Sequence, residues 1–249
     1  MLLNRKFQSP NCAPRTQQIN YIIVHFTEML FADALERLMD ESSQVSAHYL
    51  IKKDGEILQL VDDSNIAWHA GVSSWHGQEK LNQNSLGIEM DNMGDEPFSD
   101  AQMESCIELS TSLMLKYNIK AENFIGHSDV APSRKIDPGI FFDWQLCTEN
   151  NLGIWHGIMR ESGDDEQLIC FGDSGAEVKT LQQKLISLGY KVEITGVCNE
   201  QTNFVIRAFQ SKFCPEIIHD RGIEFFQNQE SRYIWDVFSE NIVNKLVSR

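Results

Sequence analysis

The stretch YIIVH, residues 21–25, is a short apolar run rich in β-branched residues that ends in a histidine. Such a run predicts a buried strand, because β-branched side chains pack well on a pleated surface and no solvent-facing alternation interrupts them. His25 would then lie at the end of a strand, at the edge of a sheet, where an imidazole can face a cleft.

Strand and helix patterns alternate after this run. Further strands are predicted at residues 47–51, 57–60, 85–90 and 123–126, and helices at residues 32–39 and 100–117. Asp54-Gly55 is a hairpin signature, and Ser99 with Gln102 forms a capping box ahead of the longer helix. Mixed elements in this order predict an α/β domain that ends near residue 150.

The remainder has a different pattern. Residues 161–167 (ESGDDEQ) are small, polar and acidic, as in a solvated connection. Apolar residues at three- and four-residue spacings then predict helices at 178–188, 202–213 and 231–247. We therefore predict a first, α/β domain at 1–160, a linker at 161–167 and a small three-helix domain at 168–249.

Composition excludes several classes of protein. The 249 residues carry a net charge of −15, which disfavours a nucleic-acid partner. No apolar run reaches the roughly 18–20 residues of a membrane helix, and the first residues lack the apolar core of an export signal. The six cysteines are scattered without a C-x-x-C pair, so free thiols are favoured over a disulfide scaffold.

Three residues could form a metal centre. His25 and His127 each follow an apolar strand, and Asp137 lies ten residues after His127 in a loop bounded by prolines. Two imidazoles and one carboxylate leave the fourth position of tetrahedral zinc open, as in catalytic sites. The same set could hold non-haem iron, and either histidine alone could be a hydrogen-bonded structural residue.

Other polar residues could supply catalysis or binding. Glu89 lies in the apolar strand SLGIEM, where burial would suit it to proton transfer, unless it faces outward at a sheet edge. Lys135 could donate to an oxyanion beside the metal or be a solvated lysine. Trp68 and His69 lie in a loop that could contact sugars or peptides, or be fixed to the core by its tryptophans.

Six motifs in one order resemble a known family: SPNCAPR, YIIVHFTE, SAHYLIKKDGEILQLV, AWHAG, SLGIEMDN and FIGHSDVAPSRKIDPG. Across roughly residues 7–147 the chain resembles the amidase-2 group of N-acetylmuramoyl-L-alanine amidases, related to peptidoglycan recognition proteins and phage T7 lysozyme. The resemblance implies a mixed central sheet flanked by helices. It also implies cleavage of the amide between N-acetylmuramic acid and the L-alanine of the stem peptide.

The resemblance also implies roles for single residues. It gives one Zn²⁺ per chain, with the ligands His25, His127 and Asp137. It gives Glu89 as the catalytic acid or base and Lys135 as the group that stabilises the intermediate. Substrate contacts are expected at His48, Trp68 and His69.

The tail resembles a peptidoglycan-binding three-helix domain through VKTLQQKLISLGY and TNFVIRAFQSKF, although KVEITGVCNEQ departs from the expected turn between them. The partners expected are intact wall, anhydro-muropeptides or both. A non-catalytic recognition protein and a zinc peptidase acting within the stem peptide stay open as alternatives. The two-domain resemblance favours the cell envelope or periplasm, and the lack of a visible signal peptide keeps the cytoplasm open.

Overall fold

A computed structural model describes residues 2–249, which form two compact units by their internal contacts. The first contains the described residues up to Ser73, Lys80–His127 and Asp137–Ile154, and the second contains Ser74–Glu79, Ser128–Ile136 and Trp155–Arg249. Each unit is therefore discontinuous in sequence. The functional limits 1–160, 161–167 and 168–249 stay a prediction.

Twelve strands and nine helices are assigned among the described residues. The strands are β1 (Leu3–Asn4), β2 (Cys12–Pro14), β3 (Tyr21–Phe26), β4 (Tyr49–Ile51), β5 (Ile57–Gln59), β6 (Asn65–Ala67), β7 (Ser74–Trp75), β8 (Gln78–Glu79), β9 (Ser85–Met90), β10 (Phe124–Gly126), β11 (Gln167–Ile169) and β12 (Trp235–Asp236). The helices are α1 (Phe31–Met39), α2 (Asp100–Tyr117), α3 (His127–Val130), α4 (Trp144–Glu149), α5 (Ala176–Ser187), α6 (Glu200–Phe213), α7 (Pro215–His219), α8 (Ile223–Gln227) and α9 (Val237–Val247). Short 3₁₀ turns lie at Glu41–Ser43, Leu81–Asn84 and Ala121–Asn123.

A six-stranded mixed sheet forms the centre of the first unit, in the order β1-β5-β4-β9-β3-β10. The strands β4, β9, β3 and β10 run parallel to one another, whereas β4 and β5 pair antiparallel as the predicted hairpin. All six residues of β3 are buried, as the run YIIVH predicts for a strand covered on both faces. The predicted mixed α/β fold class is confirmed.

Helices of the first unit begin where the sequence indicates. Ser99 caps α2, with its hydroxyl accepting from the Gln102 backbone and the Gln102 side chain accepting from the Ser99 N–H. The Gln102 amide also donates to the Asp91 carbonyl, 2.9 Å away, which joins the helix to the end of β9. Leu38 of α1 packs in an apolar cluster with Leu50 and Leu58 of the β4–β5 hairpin.

The second unit contains the three predicted helices, α5, α6 and α9, around large buried side chains that include Phe209, Trp235 and Phe238. It also contains the short helices α7 and α8 and the two-stranded sheet β11–β12. Pairing with β11 draws residues 235–236 into a strand, so α9 begins at Val237 and not at Ser231. None of the helices in the described chain is both long and apolar enough to cross a membrane.

Candidate metal centre

Strand register in the first unit places three polar residues side by side. His25 on β3 pairs with Glu89 on β9, and Val24 pairs with Gly126, the last residue of β10. His127 follows Gly126 directly and therefore lies beside His25 on the other flank. Since residues in register on parallel strands share a face, the sheet groups Glu89, His25 and His127 at one edge.

Asp137 completes the group from the loop after β10. Its Oδ2 lies 2.9 Å from His25 Nδ1 and 3.0 Å from His127 Nδ1, and the two Nδ1 atoms are 2.9 Å apart. All three residues are buried. The structure therefore brings together the three ligands proposed from sequence, each presenting one donor atom to a common point.

The hydrogen bond of His127 to the Ala70 carbonyl indicates which ring nitrogen is available at this point. Its Nε2 lies 3.3 Å from the Ala70 carbonyl oxygen, which can only accept, so Nε2 carries the ring proton. Nδ1 is then the nitrogen through which His127 would bind a metal, and it lies beside another imidazole nitrogen and a carboxylate oxygen. A triangle of this size leaves room on one side for an ion about 2.0 Å from each corner, the usual zinc–nitrogen distance.

Electrostatics keep Asp137 an anionic donor. Burial alone would raise the pKa of its carboxyl, but His127 and His25 outweigh burial and hold the pKa well below its usual range. The side chain is thus a carboxylate at neutral pH. Two neutral imidazoles and one carboxylate are a donor set that zinc and other divalent metals accept.

His48 lies inside the first unit and contacts none of the three ligands through its hydrogen bonds. Its Nδ1 accepts from the Gly87 N–H at 3.0 Å, and its Nε2 lies 2.9 Å from the Arg15 guanidinium. Burial, followed by the positive charge of Arg15, lowers the pKa of His48 to about 4. A substrate contact there stays a prediction.

His69 lies directly behind His25. Its Nδ1 is 3.0 Å from His25 Nε2, and its Nε2 is 3.1 Å from the Ser85 hydroxyl. Burial, then the neighbouring His25, lowers the pKa of His69 well below its ordinary value, so the ring is neutral. The expected substrate contact of His69 is untested, but its hydrogen bond to a candidate ligand is a role that the motif AWHAG alone did not indicate.

Trp68 and Lys135 are half-buried. Trp68 exchanges hydrogen bonds with Ser46 through its backbone, and the Lys135 N–H donates to the Ala131 carbonyl at 3.0 Å. Sequence reasoning missed Asn82 and Ser85, which hold the residues around His69. Asn82 lies in the 3₁₀ turn before β9 and Ser85 is the first residue of β9, and no local sequence pattern indicates their proximity to His69.

The fold and the donor set define a mixed α/β domain with a candidate metal centre, in a chain that also contains a helical unit. A family model for N-acetylmuramoyl-L-alanine amidase matches residues 15–140, and one for a peptidoglycan-binding domain matches residues 174–217. The chain belongs to the N-acetylmuramoyl-L-alanine amidase family. The enzyme class predicted from the motifs is confirmed.

One relative extends the likeness over both units, and a second matches a shorter part of the chain. The chain is 34% identical over 237 residues to N-acetylmuramoyl-L-alanine amidase AmiD of Escherichia coli, a match that spans 86% of this chain and 81% of AmiD. It is 36% identical over 162 residues to the 1,6-anhydro-N-acetylmuramyl-L-alanine amidase AmpD of Haemophilus influenzae, spanning 57% of this chain and 88% of AmpD.

A solved structure agrees with these sequence matches. The complex of E. coli AmiD with anhydro-N-acetylmuramic acid-L-Ala-D-gamma-Glu-L-Lys superposes with a TM-score of 0.74 at 30% identity. The superposition covers 92% of this chain and 89% of the AmiD chain. The two-part architecture is therefore shared with an amidase whose structure includes a muropeptide.

Proposed function

We propose that this chain hydrolyses the amide bond between the lactyl group of N-acetylmuramic acid and L-alanine, with one zinc ion held by His25, His127 and Asp137. The observation that carries the proposal is the triangle of two Nδ1 atoms and one carboxylate oxygen, with sides of 2.9 to 3.0 Å. Membership of the amidase family supports the choice of reaction and of metal.

Zinc would supply Lewis acidity, which makes water a nucleophile near neutral pH and polarises a carbonyl. Glu89, in register with His25, takes the proton from the attacking water and delivers it to the nitrogen of the leaving L-alanine. Lys135 precedes Asp137 by two residues and donates from Nζ to the carbonyl oxygen as that oxygen becomes negative. His48, Trp68 and His69 stay candidates for substrate contacts.

We propose anhydro-muropeptides as substrates, together with peptidoglycan strands that the second unit would retain. The bound compound in the AmiD structure and the names of the AmpD relatives support the first. The peptidoglycan-binding match at residues 174–217 supports the second and favours the cell envelope as the compartment. Fractionation of cells producing the native chain and cosedimentation with insoluble peptidoglycan test the compartment and wall binding separately.

The central test is paired metal analysis and product mass spectrometry. Native protein should contain about one zinc per chain and release stem peptides that begin with a free L-alanine amine. Glu89→Gln should keep its zinc and lose about 10²–10⁴-fold in turnover, the usual contribution of acid-base catalysis. Glu56→Gln is a matched control, because Glu56 lies at the surface and pairs with Lys52.

Other products would contradict the proposal in distinct ways. Fragments cut within the stem peptide would identify a peptidase. Muropeptide binding without cleavage by zinc-loaded native protein would identify a recognition protein. Glu89→Gln with native turnover would remove Glu89 from the mechanism while leaving the amidase reaction in place.

A further inference from the structure

Residues 68–70 form a short segment of the first unit whose backbone is fixed on both sides. The Asn82 side-chain oxygen accepts from the N–H of His69 at 3.1 Å and from the N–H of Ala70 at 2.7 Å. The Trp68 N–H donates to the Ser46 hydroxyl at 2.8 Å. Three consecutive amides are thus held by two side chains, which leaves this segment little freedom to shift.

The protons in this region can be assigned in order, starting from Ser85. Its hydroxyl lies 2.6 Å from the Leu81 carbonyl oxygen, which can only accept, so the single hydroxyl proton points there. Ser85 must then accept from His69 Nε2, 3.1 Å away, and His69 Nε2 carries the ring proton. His69 Nδ1 is consequently a lone pair, and it accepts from His25 Nε2–H at 3.0 Å.

The same segment sets the proton of the second histidine ligand, because the Ala70 carbonyl accepts from His127 Nε2. The His69 side chain therefore bonds to Nε2 of His25, and the Ala70 backbone bonds to Nε2 of His127. With both Nε2 atoms engaged in this way, Nδ1 is the nitrogen that His25 and His127 would each offer to a metal beside Asp137 Oδ2. Outer partners of this kind fix the orientation and tautomer of metal-bound histidines.

A glycine on β9 makes room for the His69 ring. A Cβ at Gly87 would lie 2.4 Å from His69 Cγ and 2.6 Å from His69 Nδ1, closer than any real contact. Gly87 precedes Glu89 by two residues on the same strand and so shares its face. The bare backbone at this position lets an imidazole lie over the sheet directly behind His25.

We infer that His69 is a positioning residue for the metal centre: through Nδ1 it holds His25 in the tautomer that binds metal by Nδ1. The inference rests on the proposed metal centre and goes beyond it, since it assigns the ligand atom and names the group that selects it. His69 acts through His25 and need not touch substrate. Asn82 and Gly87 serve the same purpose by fixing the His69 backbone and leaving space for its ring.

Zinc affinity of the folded protein tests the inference without reference to turnover. His69→Phe keeps a ring over Gly87 but removes the acceptor, and should raise the zinc dissociation constant by about 10–100-fold. His69→Asn puts an amide oxygen near the position of Nδ1 and should recover most of that loss. Competition with a coloured chelator gives each constant, and circular dichroism of the metal-free proteins shows that they are folded.

The matched control is His156→Phe, because His156 is a buried histidine of the second unit that bonds to the Phe213 carbonyl. That substitution should lower thermal stability and leave zinc affinity unchanged. Equal affinity in native protein and His69→Phe would overturn the inference but not the metal centre. Native protein that binds no zinc would overturn both, and an equal loss in His156→Phe would show that any buried imidazole matters.

A measurement on native protein avoids substitutions altogether. Long-range ¹⁵N–¹H spectra of zinc-loaded protein with labelled histidine identify which nitrogen of each ring carries the proton. We expect Nε2–H on His25, His127 and His69. A His25 ring protonated at Nδ1, with Nε2 on the metal, would contradict the inference even if every variant folded.

Discussion

Two buried aspartates, one in each unit, show how a cluster prepared for a cation differs from a cluster that is complete in itself. Asp137 Oδ2 faces two imidazole nitrogens that also face each other. Asp129 accepts from Tyr190 Oη on one oxygen and from Lys212 Nζ on the other, both at 2.7 Å. Asp137 is 5% exposed and Asp129 is 1% exposed, so burial does not distinguish the two.

The two clusters differ in the groups that contact each carboxylate. Tyr190 and Lys212 bring their own protons to Asp129, and Lys212 also brings a positive charge into contact with the carboxylate. At Asp137 the partners are two imidazoles, whose Nδ1 atoms lie against the same carboxylate oxygen and against each other, so one metal ion could contact all three groups. A search for metal sites by acidic residues alone would rank these two aspartates equally. Their partners distinguish them: two imidazoles at Asp137, and a lysine and a tyrosine at Asp129.

The largest expected effect comes from removing the cation of the complete cluster. Lys212→Met should lower the free energy of unfolding by about 3–5 kcal/mol, because it removes the buried cation that contacts the Asp129 carboxylate. Asp137→Asn in metal-free protein should cost less than that, since it removes a charge without leaving an opposite buried charge behind, and the asparagine side chain can still hydrogen-bond to the two imidazoles. Urea unfolding of both metal-free variants measures the contrast, and equal losses would show that the clusters are of one kind.

Added zinc should stabilise the protein through the Asp137 cluster and not through the Asp129 cluster. Zinc at about 100 times its dissociation constant should stabilise native protein by about 2.7 kcal/mol, because it binds only the folded chain. Tyr190→Phe, which changes the complete cluster, should keep that gain, whereas Asp137→Asn should lose it. Thermal unfolding with and without zinc gives the result, and a gain retained by Asp137→Asn would place the ion elsewhere.

Acid should lower the stability of both units, so the pH dependence of unfolding should not distinguish one unit from the other. His48 in the first unit and His156 in the second each have a pKa lowered by burial to about 4. The unfolded chain therefore takes up these protons first, and stability falls as the pH drops from about 6.5 towards 4. His156→Phe should reduce the loss between pH 7 and pH 4.5 by about 2 kcal/mol in urea unfolding. An unchanged loss would mean that His156 is protonated in the folded protein.

The sequence predicted the first cluster well because its members follow local signals. His25 and His127 end apolar runs, and Asp137 lies in a loop bounded by prolines. The register that sets Glu89 opposite His25 is a property of strand pairing, and no local pattern contains it. The role of the Ala70 carbonyl was likewise hidden, because a backbone acceptor leaves no trace in residue type.

No local sequence pattern indicated the cluster of Asp129, Tyr190 and Lys212. Lys212 lies within an amphipathic helix, where a lysine ordinarily indicates a solvated face, and Asp129 lies 83 residues earlier in the chain. The late start of α9 has a similar origin, since the pairing of β12 with β11 joins segments far apart in sequence. Periodicity indicates which side chains are buried together along one element, but it does not indicate which distant elements meet.

The discontinuity of the two units bears on how such proteins can be rearranged by recombination. Ser74–Glu79 and Ser128–Ile136 lie between stretches of the first unit in sequence but group with the second unit by their contacts. A gene truncated after Ile154 would still encode both segments and would lack the residues that hold them, including Tyr190 and Lys212. The helical part of this chain therefore cannot be exchanged alone for a binding module from another protein. Ser74–Glu79 and Ser128–Ile136 would have to be replaced together with it.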